Sequence, residues 1–210
     1  MSGRGRFIAF EGGEGTGKST QARLLTAALA ARGIDCVTTR EPGGTPGAEA
    51  IRALLLDPAL PQWEPAAEAL LFAAARSDHV AHLIEPALAA GRWVICDRYL
   101  DSSLAYQGGA GGLGEAAIRA LHEVGSSGLL PDLTLLLEAE LQATVARLHA
   151  RDGDAADKIG GRGAAFHEGV AAAFVGLAQA DPARFRRIDA SGTPEAVHAL
   201  ILDALRDLLP

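Results

Sequence analysis

The sequence predicts an α/β fold in which a parallel β-sheet is covered by helices on both faces. Short apolar runs alternate with longer stretches of helical spacing, an order typical of βαβ units. The runs are almost continuously apolar, which indicates strands that are buried on both sides. The chain has 210 residues, 49% of them hydrophobic, which suffices for one well-packed core and is little for two. We therefore expect one domain that spans residues 1–210.

Five segments have the length and composition of strands, and helical spacing follows each of them. The predicted strands are 6–11, 34–40, 92–97, 132–138 and 184–189. The predicted helices are 18–31, 48–56, 64–90, 115–124, 141–150, 164–180 and 194–209. A polar segment after the third strand is also predicted to be helical, as far as Gln107. Pro86 is expected to kink the last turn of the longest helix, since proline lacks the amide proton that a helix uses.

The composition excludes several classes of protein. The formal net charge of −7 argues against a nucleic-acid-binding protein, which carries a basic surface. The sequence shows no N-terminal apolar segment and no apolar run approaching 18 residues, so we expect neither secretion nor a membrane span. Cys36 and Cys96 lie in apolar, strand-like runs. We expect them to be core thiols of a cytoplasmic protein, because disulfides are rare in that compartment.

The first predicted strand leads into a glycine-rich turn with the pattern of a phosphate-binding loop. Residues 12–19, GGEGTGKS, match G-x-x-x-x-G-K-[ST] between a strand and a helix. Glycines let successive backbone N–H groups point at phosphate oxygens, and the helix N-terminus adds its positive dipole. Lys18 is expected to reach the β- and γ-phosphates, and the Ser19 hydroxyl to ligate Mg²⁺. The residues expected to bind ATP here are Gly12, Gly13, Glu14, Gly15, Thr16, Gly17, Lys18, Ser19 and Thr20.

This loop indicates a nucleoside triphosphate but does not define the reaction. The dinucleotide-binding pattern G-x-G-x-x-G does not fit, because no glycine stands three positions after Gly15 or Gly17. The chain contains no asparagine, so it lacks the Asn-Lys-x-Asp motif with which GTPase switches read guanine. Two kinds of protein remain possible: a kinase that acts on a small molecule, and an ATPase.

Three further clusters indicate an acceptor that itself carries a phosphate. Arg40 ends the second predicted strand, and Asp97 and Arg98 follow the third, where ligands bind in open parallel sheets. Asp97 can hold Mg²⁺, and Arg98 can bind a phosphate through two parallel hydrogen bonds. Phe72 and Arg76 lie four residues apart on one helix face, so a ring and a guanidinium can be presented together to a base.

These motifs together resemble those of bacterial thymidylate kinases, in order and in spacing, over essentially the whole chain. The segments that carry the resemblance are FEGGEGTGKSTQ, REPGGTPG, FAAAR, DRYLDSSLAYQG, LPDLTLLLE and IDASG. The resemblance implies a P-loop nucleoside monophosphate kinase-like fold with a five-stranded parallel sheet. It also implies phosphoryl transfer from ATP to dTMP, giving dTDP and ADP, with Mg²⁺ as cofactor and a homodimer as the assembly.

The resemblance further implies roles for individual residues of the acceptor pocket. Phe72 would stack on thymine, and Arg76 would bind a carbonyl oxygen of the base. Arg98 and Arg40 would hold the dTMP phosphate. Tyr106 would pack under the sugar and disfavour a ribose 2′-hydroxyl group. The remaining residues implied for this pocket are Ser102, Ser103 and Gln107.

On the ATP side, the same resemblance implies a metal site and an adenine site. Asp97 and Glu14 would manage contacts to Mg²⁺ and to phosphate, together with Ser19. The backbone around Asp189 and Ala190 would border the adenine.

The P-loop of this chain lacks an arginine that one branch of the family carries after the acidic residue, where Gly15 stands here. The resemblance therefore implies a mobile lid, about residues 151–163 (RDGDAADKIGGRG), that supplies the catalytic cation. The candidates are Arg147, Arg151, Lys158 and Arg162. Arg151, where the lid begins, is the first of them, and Lys158 stands at a position where relatives usually carry arginine. Such arginine fingers contribute about 10³–10⁵ in rate.

Three alternatives stay open at the level of the sequence. The first is another deoxynucleotide or nucleoside kinase of this fold, and the second is a P-loop ATPase switch without a small acceptor. The third is a silent nucleotide-binding module. A homodimer also agrees with the long predicted helix, whose apolar residues exceed what one buried face is expected to absorb; they are Leu70, Leu71, Val80, Leu83, Ile84 and Leu88.

Overall fold

The computed structural model describes residues 3–139 and 159–209 and contains a five-stranded, all-parallel sheet. The strands are β1 (Phe7–Glu11), β2 (Cys36–Arg40), β3 (Trp93–Asp97), β4 (Leu133–Glu138) and β5 (Phe185–Asp189). Their order in the sheet is β2-β3-β1-β4-β5, so the first strand in the chain lies at the centre. The α/β fold and the five strands predicted from the sequence are confirmed.

The helices occupy the segments between the strands. They are α1 (Lys18–Ala30), α2 (Pro46–Leu56), α3 (Pro65–His79), α4 (Glu85–Ala89), α5 (Leu100–Ser103), α6 (Glu115–Ser126), α7 (Ala164–Ala180) and α8 (Pro194–Ala204). The helix predicted for 141–150 lies outside the described residues. The last helix ends at Ala204, earlier than predicted. Among the described residues, no helix is long and apolar enough to cross a membrane.

The long helix predicted for 64–90 is interrupted by a widened turn. A π-helical turn, Val80–Ile84, separates α3 from α4 and directly precedes the segment that contains Pro86. The missing amide proton of Pro86 accounts for the break, because the regular hydrogen bond to the carbonyl four residues earlier cannot form. A second π-helical segment, Leu104–Ala110, continues α5.

Side chains of the central strand alternate between two hydrophobic cores. Phe7 and Ala9 belong to the core that includes α3, α4 and α7, whereas Ile8 and Phe10 belong to the core that includes α1 and α8. All four are at most 1% exposed. Helices therefore cover both faces of the sheet, as the apolar strand pattern predicts.

The two edge strands depart from the prediction of continuous burial. In β5 only Phe185 and Ile188 are buried, and β2 has no buried residue. An edge strand has a neighbour on one side only, so water reaches more of its surface. For that reason Cys36 on β2 is half-buried, unlike the fully buried Cys96 on β3; both thiols are unpaired.

The apolar surface expected on the long helix is mostly absorbed by the core. Val80, Ile84 and Leu88 are buried there, since the widened turn and α4 pack against the sheet. Leu70 is the exception, at 56% exposed. On this helix, only the exposed side chain of Leu70 therefore supports a partner.

Candidate active site

The parallel sheet places the carboxyl ends of its strands along one edge. A cleft of about 210 Å³ opens there, between the β1–α1 loop and α3. The residues that line it are Glu14, Gly15, Lys18, Ser19, Arg40, Glu41, Pro42, Arg52, Leu56, Phe72, Arg76, Asp97, Arg98, Tyr99, Ser102, Ser103, Tyr106, Gln107 and Ile159. The cleft therefore combines the phosphate-binding loop with every residue predicted for the acceptor pocket.

The β1–α1 loop has the backbone that a phosphate cradle requires. Gly12 has φ +130°, and a Cβ there would lie 2.3 Å from the carbonyl oxygen of Leu137 on β4. Gly15 and Gly17 also have positive φ, 71° and 91°. Only glycine adopts these angles at little cost. α1 begins at Lys18, one of the residues that line the cleft. The first N–H groups of a helix have no carbonyl partner within the helix, and they form a site that anions favour.

The ammonium group of Lys18 is held inside the loop. Nζ donates to the carbonyl oxygens of Gly12 at 3.1 Å and Gly13 at 2.5 Å, and the residue is 6% exposed. Burial, followed by the positive charge of Arg98, lowers the pKa of Lys18 to about 7. The negative charge of a phosphate bound in the loop would raise the pKa of Lys18 again, because it favours the ammonium form.

Ser19 and Asp97 meet at the mouth of the loop. Ser19 Oγ donates to Asp97 Oδ2 at 2.5 Å, so the first turn of α1 is linked to the end of β3. Mg²⁺ takes one or two protein oxygens and completes its shell with phosphates and water. A hydroxyl and a carboxylate in contact beside a phosphate cradle fit that ion. Within 3–139 and 159–209 no larger cluster of His, Cys, Asp or Glu is suited to a metal, and Glu14 lines the same cleft.

Arg98 directly follows β3 and adopts an unusual backbone conformation, with φ +69°. Its Nη1 donates to the carbonyl oxygen of Gly12 and to Ser102 Oγ, both at 3.1 Å. Its guanidinium carbon lies 5.2 Å from the centre of the Tyr106 ring. A non-glycine residue at positive φ carries backbone strain, which the surrounding contacts must offset. The guanidinium is thereby held between the P-loop and the acceptor pocket.

Glu11 is a site residue that the sequence analysis missed. It is 0% exposed and accepts hydrogen bonds from the backbone N–H groups of Tyr99 and Ser102, at 2.9 and 3.0 Å. Ser102 Oγ also donates to its Oε2 at 2.6 Å. Burial, followed by the charge of Asp101, raises the pKa of Glu11 to about 7. The signal in the sequence is a carboxylate at the end of an otherwise apolar strand, since a charge there needs partners.

Phe72 and Arg76 project from α3 toward the cleft, as predicted from their spacing. Arg76 is 3% exposed, and its Nη2 donates to Ser103 Oγ at 2.9 Å and to the carbonyl oxygen of Tyr99 at 3.1 Å. Its Nε donates to Glu41 Oε2 at 2.8 Å. Ser103 thus lies beside Arg76, whereas Ser102 lies beside Arg98.

Gln107 is tied to a second buried glutamate, Glu68 on α3. Gln107 Nε2 donates to Glu68 Oε1 at 2.9 Å, and Arg162 Nη2 donates to Glu68 Oε2 at 2.5 Å. The guanidinium carbon of Arg162 lies 4.7 Å from the centre of the Phe166 ring. Arg162, near the end of the predicted lid, is therefore linked to the acceptor side.

Two arginines face the cleft from its outer rim. Arg40 is predicted to bind phosphate. Its Nη2 lies 2.9 Å from Glu49 Oε1, and about half of the Arg40 side chain is exposed. Arg52 on α2 also lines the cleft, and its Nη1 donates to the carbonyl oxygen of Pro42 at 2.7 Å. The sequence analysis missed Arg52, for which the signal is one cation in the apolar helix IRALLL.

The segment predicted to border adenine lies at the end of β5. Asp189 Oδ1 accepts hydrogen bonds from Ser191 N at 2.9 Å and Ser191 Oγ at 2.6 Å. Ala190 is buried, and its N–H donates to the carbonyl oxygen of Glu138 at 2.7 Å. These residues share the carboxyl edge of the sheet with the P-loop but do not line the cleft described above.

The two cations predicted in the lid, Arg151 and Lys158, lie outside the described residues. Ile159, which follows them, is 9% exposed and lines the cleft.

Known proteins resemble this chain over nearly its whole length. The family model described as thymidylate kinase matches residues 10–201. The thymidylate kinase of Rhizorhabdus wittichii is 59% identical over 207 residues, 98% of this chain and 99% of that protein. That of Gluconobacter oxydans is 50% identical, covering 100% and 98%. The crystal structure of thymidylate kinase from Ehrlichia chaffeensis superposes with a TM-score of 0.77 at 30% identity, covering 96% and 99%. The chain belongs to the thymidylate kinase family.

Proposed function

We propose that the cleft at the carboxyl edge of the sheet transfers a phosphoryl group from ATP to dTMP, giving dTDP and ADP. This is the reaction of the family to which the chain belongs. The observation that carries the assignment to this cleft is its continuity. One cavity runs from Lys18 and Ser19, to which we assign the triphosphate oxygens, to Phe72 and Arg76, which can face a base.

The chemistry needs alignment more than proton transfer. A phosphate monoester such as dTMP is largely ionised at pH 7, because its second pKa lies near 6. No general base is then required, and catalysis consists of bringing two anions together and stabilising the charge between them. We assign Lys18 and the P-loop N–H groups to the ATP phosphates, and Arg98 to the acceptor phosphate. Arg40 and Arg52 supply positive charge at the rim.

The pocket beyond Arg98 suits the nucleoside. Phe72 offers an apolar ring for stacking on the base, and Arg76 offers donors for its carbonyl oxygen. Tyr106, 5% exposed, packs where the sugar would lie. The residues assigned to the same pocket wall are Ser102, Ser103 and Gln107.

Mg²⁺ is the cofactor that we assign to Ser19 and Asp97, with Glu14 nearby. The hydroxyl–carboxylate contact of 2.5 Å beside the P-loop supports this choice. When bound, the ion would neutralise charge on the phosphates.

We propose that the lid, about residues 151–163, supplies the positively charged side chain that stabilises the phosphoryl group during its transfer. The P-loop position after Glu14 is Gly15, so the loop has no arginine of its own. Ile159 lines the cleft, which supports a lid that reaches it. We expect Arg151→Ala to lower kcat by about 10³ and Lys158→Ala by less. If each retains kcat within about twofold of the unsubstituted chain, about 0.4 kcal/mol, the lid assignment is wrong.

One experiment tests the proposed function against its alternatives. ADP release is measured with ATP and Mg²⁺ against dTMP, dUMP, dCMP, AMP and no acceptor. We expect dTMP to give the highest kcat/KM. Turnover without an acceptor would support an ATPase switch, preference for another monophosphate would change the base assignment, and no turnover would indicate a silent module.

We also propose a homodimer and a cytoplasmic location. Leu54, Leu70 and Val124 are 42%, 56% and 90% exposed, and they lie on three helices, of which α3 packs against both α2 and α6. Such a group of apolar side chains favours a protein partner. Light scattering should give the mass of two chains at micromolar concentration, and Leu70→Glu should lower it. The two unpaired thiols agree with a reducing compartment.

A further inference from the structure

A network of polar side chains, most of them buried, holds Arg76 through Glu41. His79 Nε2 lies 2.7 Å from Thr39 Oγ1, and His79 Nδ1 lies 3.0 Å from Glu41 Oε1. The other carboxylate oxygen, Glu41 Oε2, accepts from Arg76 Nε at 2.8 Å. His79 is 0% exposed, Arg76 3% and Glu41 5%. The contacts therefore form one largely buried network that ends at the guanidinium of Arg76 in the wall of the cleft.

The contact between His79 and Glu41 has one direction. Glu41 Oε1 is a carboxylate oxygen and accepts, so Nδ1 of His79 carries a proton and donates to it, while Nε2 pairs with the hydroxyl of Thr39. Glu41 is then held at both oxygens, by His79 on one side and by Arg76 on the other. A buried pair held at both ends has little freedom, because any rotation would leave a charge without a partner.

The backbone is shaped to admit this network. Gly44 has φ +92°, and a Cβ there would lie 2.4 Å from Thr39 Oγ1 and 2.6 Å from His79 Nε2. The turn after β2 therefore packs directly on the Thr39–His79 contact. The same turn contains Glu41 and Pro42, which line the cleft. The imidazole thus fixes both the wall of the cleft and the carboxylate that grips Arg76.

We propose that Glu41, oriented by His79, is a positioning residue that sets base selectivity by aiming Arg76 at the base. The inference rests on the proposed function, in which Arg76 donates to a carbonyl oxygen of thymine. Nε and Nη2 of Arg76 are used by Glu41, Ser103 and the Tyr99 carbonyl group, so the direction of the guanidinium is set before a ligand arrives. A donor held in this way and directed at the oxygen on C4 favours thymine over cytosine, because cytosine carries an amino group on C4 and the two bases share only the carbonyl group on C2.

The test compares kcat and KM for dTMP and for dCMP. Arg76→Lys keeps the charge beside Glu41 but loses the planar fork, so it should lower kcat/KM for dTMP at least tenfold. It should also reduce the ratio of kcat/KM for dTMP to kcat/KM for dCMP (the dTMP:dCMP ratio). Glu41→Gln should raise KM for dTMP about tenfold with kcat within about twofold, because a charge-assisted hydrogen bond is lost. The dTMP:dCMP ratio should fall with it, since dCMP gains nothing from the aimed donor.

Two substitutions at His79 separate positioning from bulk stability. Asparagine places its amide nitrogen where Nδ1 lies, and glutamine places its own where Nε2 lies. His79→Asn should therefore retain more of the dTMP:dCMP ratio than His79→Gln, and this pair carries the test if Glu41→Gln does not fold. Ile201→Ala, in the core on the other face of the sheet, should lower Tm without a change in the ratio.

The outcomes distinguish the inference from the proposed function. If Arg76→Lys reduces the ratio while Glu41→Gln and both His79 variants leave it unchanged, the positioning role is wrong and the proposed function stands. If Arg76→Lys leaves the ratio unchanged, the base-reading role of Arg76 is wrong, and the inference falls with it. If the unsubstituted chain shows no turnover dependent on dTMP, the proposed function itself is wrong.

Discussion

The two ends of the cleft are built by different means. At the end proposed for ATP, the groups assigned to its phosphates belong to one continuous segment, residues 12–20, and most are backbone N–H groups whose direction is set by glycine conformations. At the acceptor end they are side chains from separate elements, and buried glutamates hold them. Glu11 accepts from Ser102, Glu41 from Arg76 and Glu68 from Gln107.

The difference has a physical reason. A phosphate is recognised by many weak donors that a loop and a helix N-terminus present without any side chain. A base is recognised by a few donors whose direction matters, and long side chains lose conformational entropy when they are held in place. Buried carboxylates supply that restraint. We therefore expect substitutions of the supporting carboxylates to weaken binding at the acceptor end more than at the ATP end.

The largest effect is expected at the ATP end. Lys18→Met removes the only side-chain cation of the P-loop and should lower kcat/KM by about 10³, the loss typical of one preorganised charge donor. Steady-state kinetics with saturating dTMP measures it. Circular dichroism should show an unchanged fold, since methionine keeps the apolar stem. A loss below about tenfold would mean that another group carries the charge of Lys18.

A tenfold effect is expected when the support of Arg98 is altered. Glu11→Gln removes the charge that anchors Ser102 and, through it, Arg98. KM for dTMP should rise about tenfold, since charge-assisted hydrogen bonds contribute about 1.5–3 kcal/mol. KM for ATP should change less than about threefold. Equal changes in KM for dTMP and in KM for ATP would contradict the proposed difference between the two ends of the cleft.

The pH dependence of ATP binding should show a smaller effect. With its pKa lowered to about 7, Lys18 is half protonated at pH 7 in the ligand-free chain and about one tenth protonated at pH 8. Only the ammonium form attracts phosphate, so ATP affinity should fall about fivefold over that interval. Calorimetric titration with Mg²⁺ and ATP measures it. Lys18→Arg stays charged and should abolish the dependence; a dependence that persists would point to another group.

The smallest effect is expected at Arg162, which acts on Gln107 through Glu68. Arg162→Ala should raise KM for dTMP about threefold and leave kcat nearly unchanged, because one partly buried ion pair is lost. A fall in kcat of about 10³ would instead identify Arg162 as the lid cation. Arg119→Ala, which removes an exposed pair with Glu115, is the matched control and should change neither constant.

Prediction from sequence succeeded where neighbouring residues act together. The five strands, the P-loop and the Phe72–Arg76 pair follow from periodicity and from short motifs. The widened turn before Pro86 was anticipated as a kink, but its extent was not. Burial of the edge strands was overestimated, because the sequence does not state which strands lack a neighbour. Arg151 and Lys158 remain predictions.

By itself, the sequence determined the α/β fold, the glycine-rich loop that begins the proposed triphosphate site, and the family. These depend on apolar periods of a few residues and on glycine and lysine at fixed spacing, which are local properties. The tertiary structure alone decided which carboxylate holds which site residue. Glu11 and Ser102 stand 91 positions apart, Glu41 and Arg76 35, and Glu68 and Gln107 39. No local pattern relates such residues, because only the folded sheet brings them into contact.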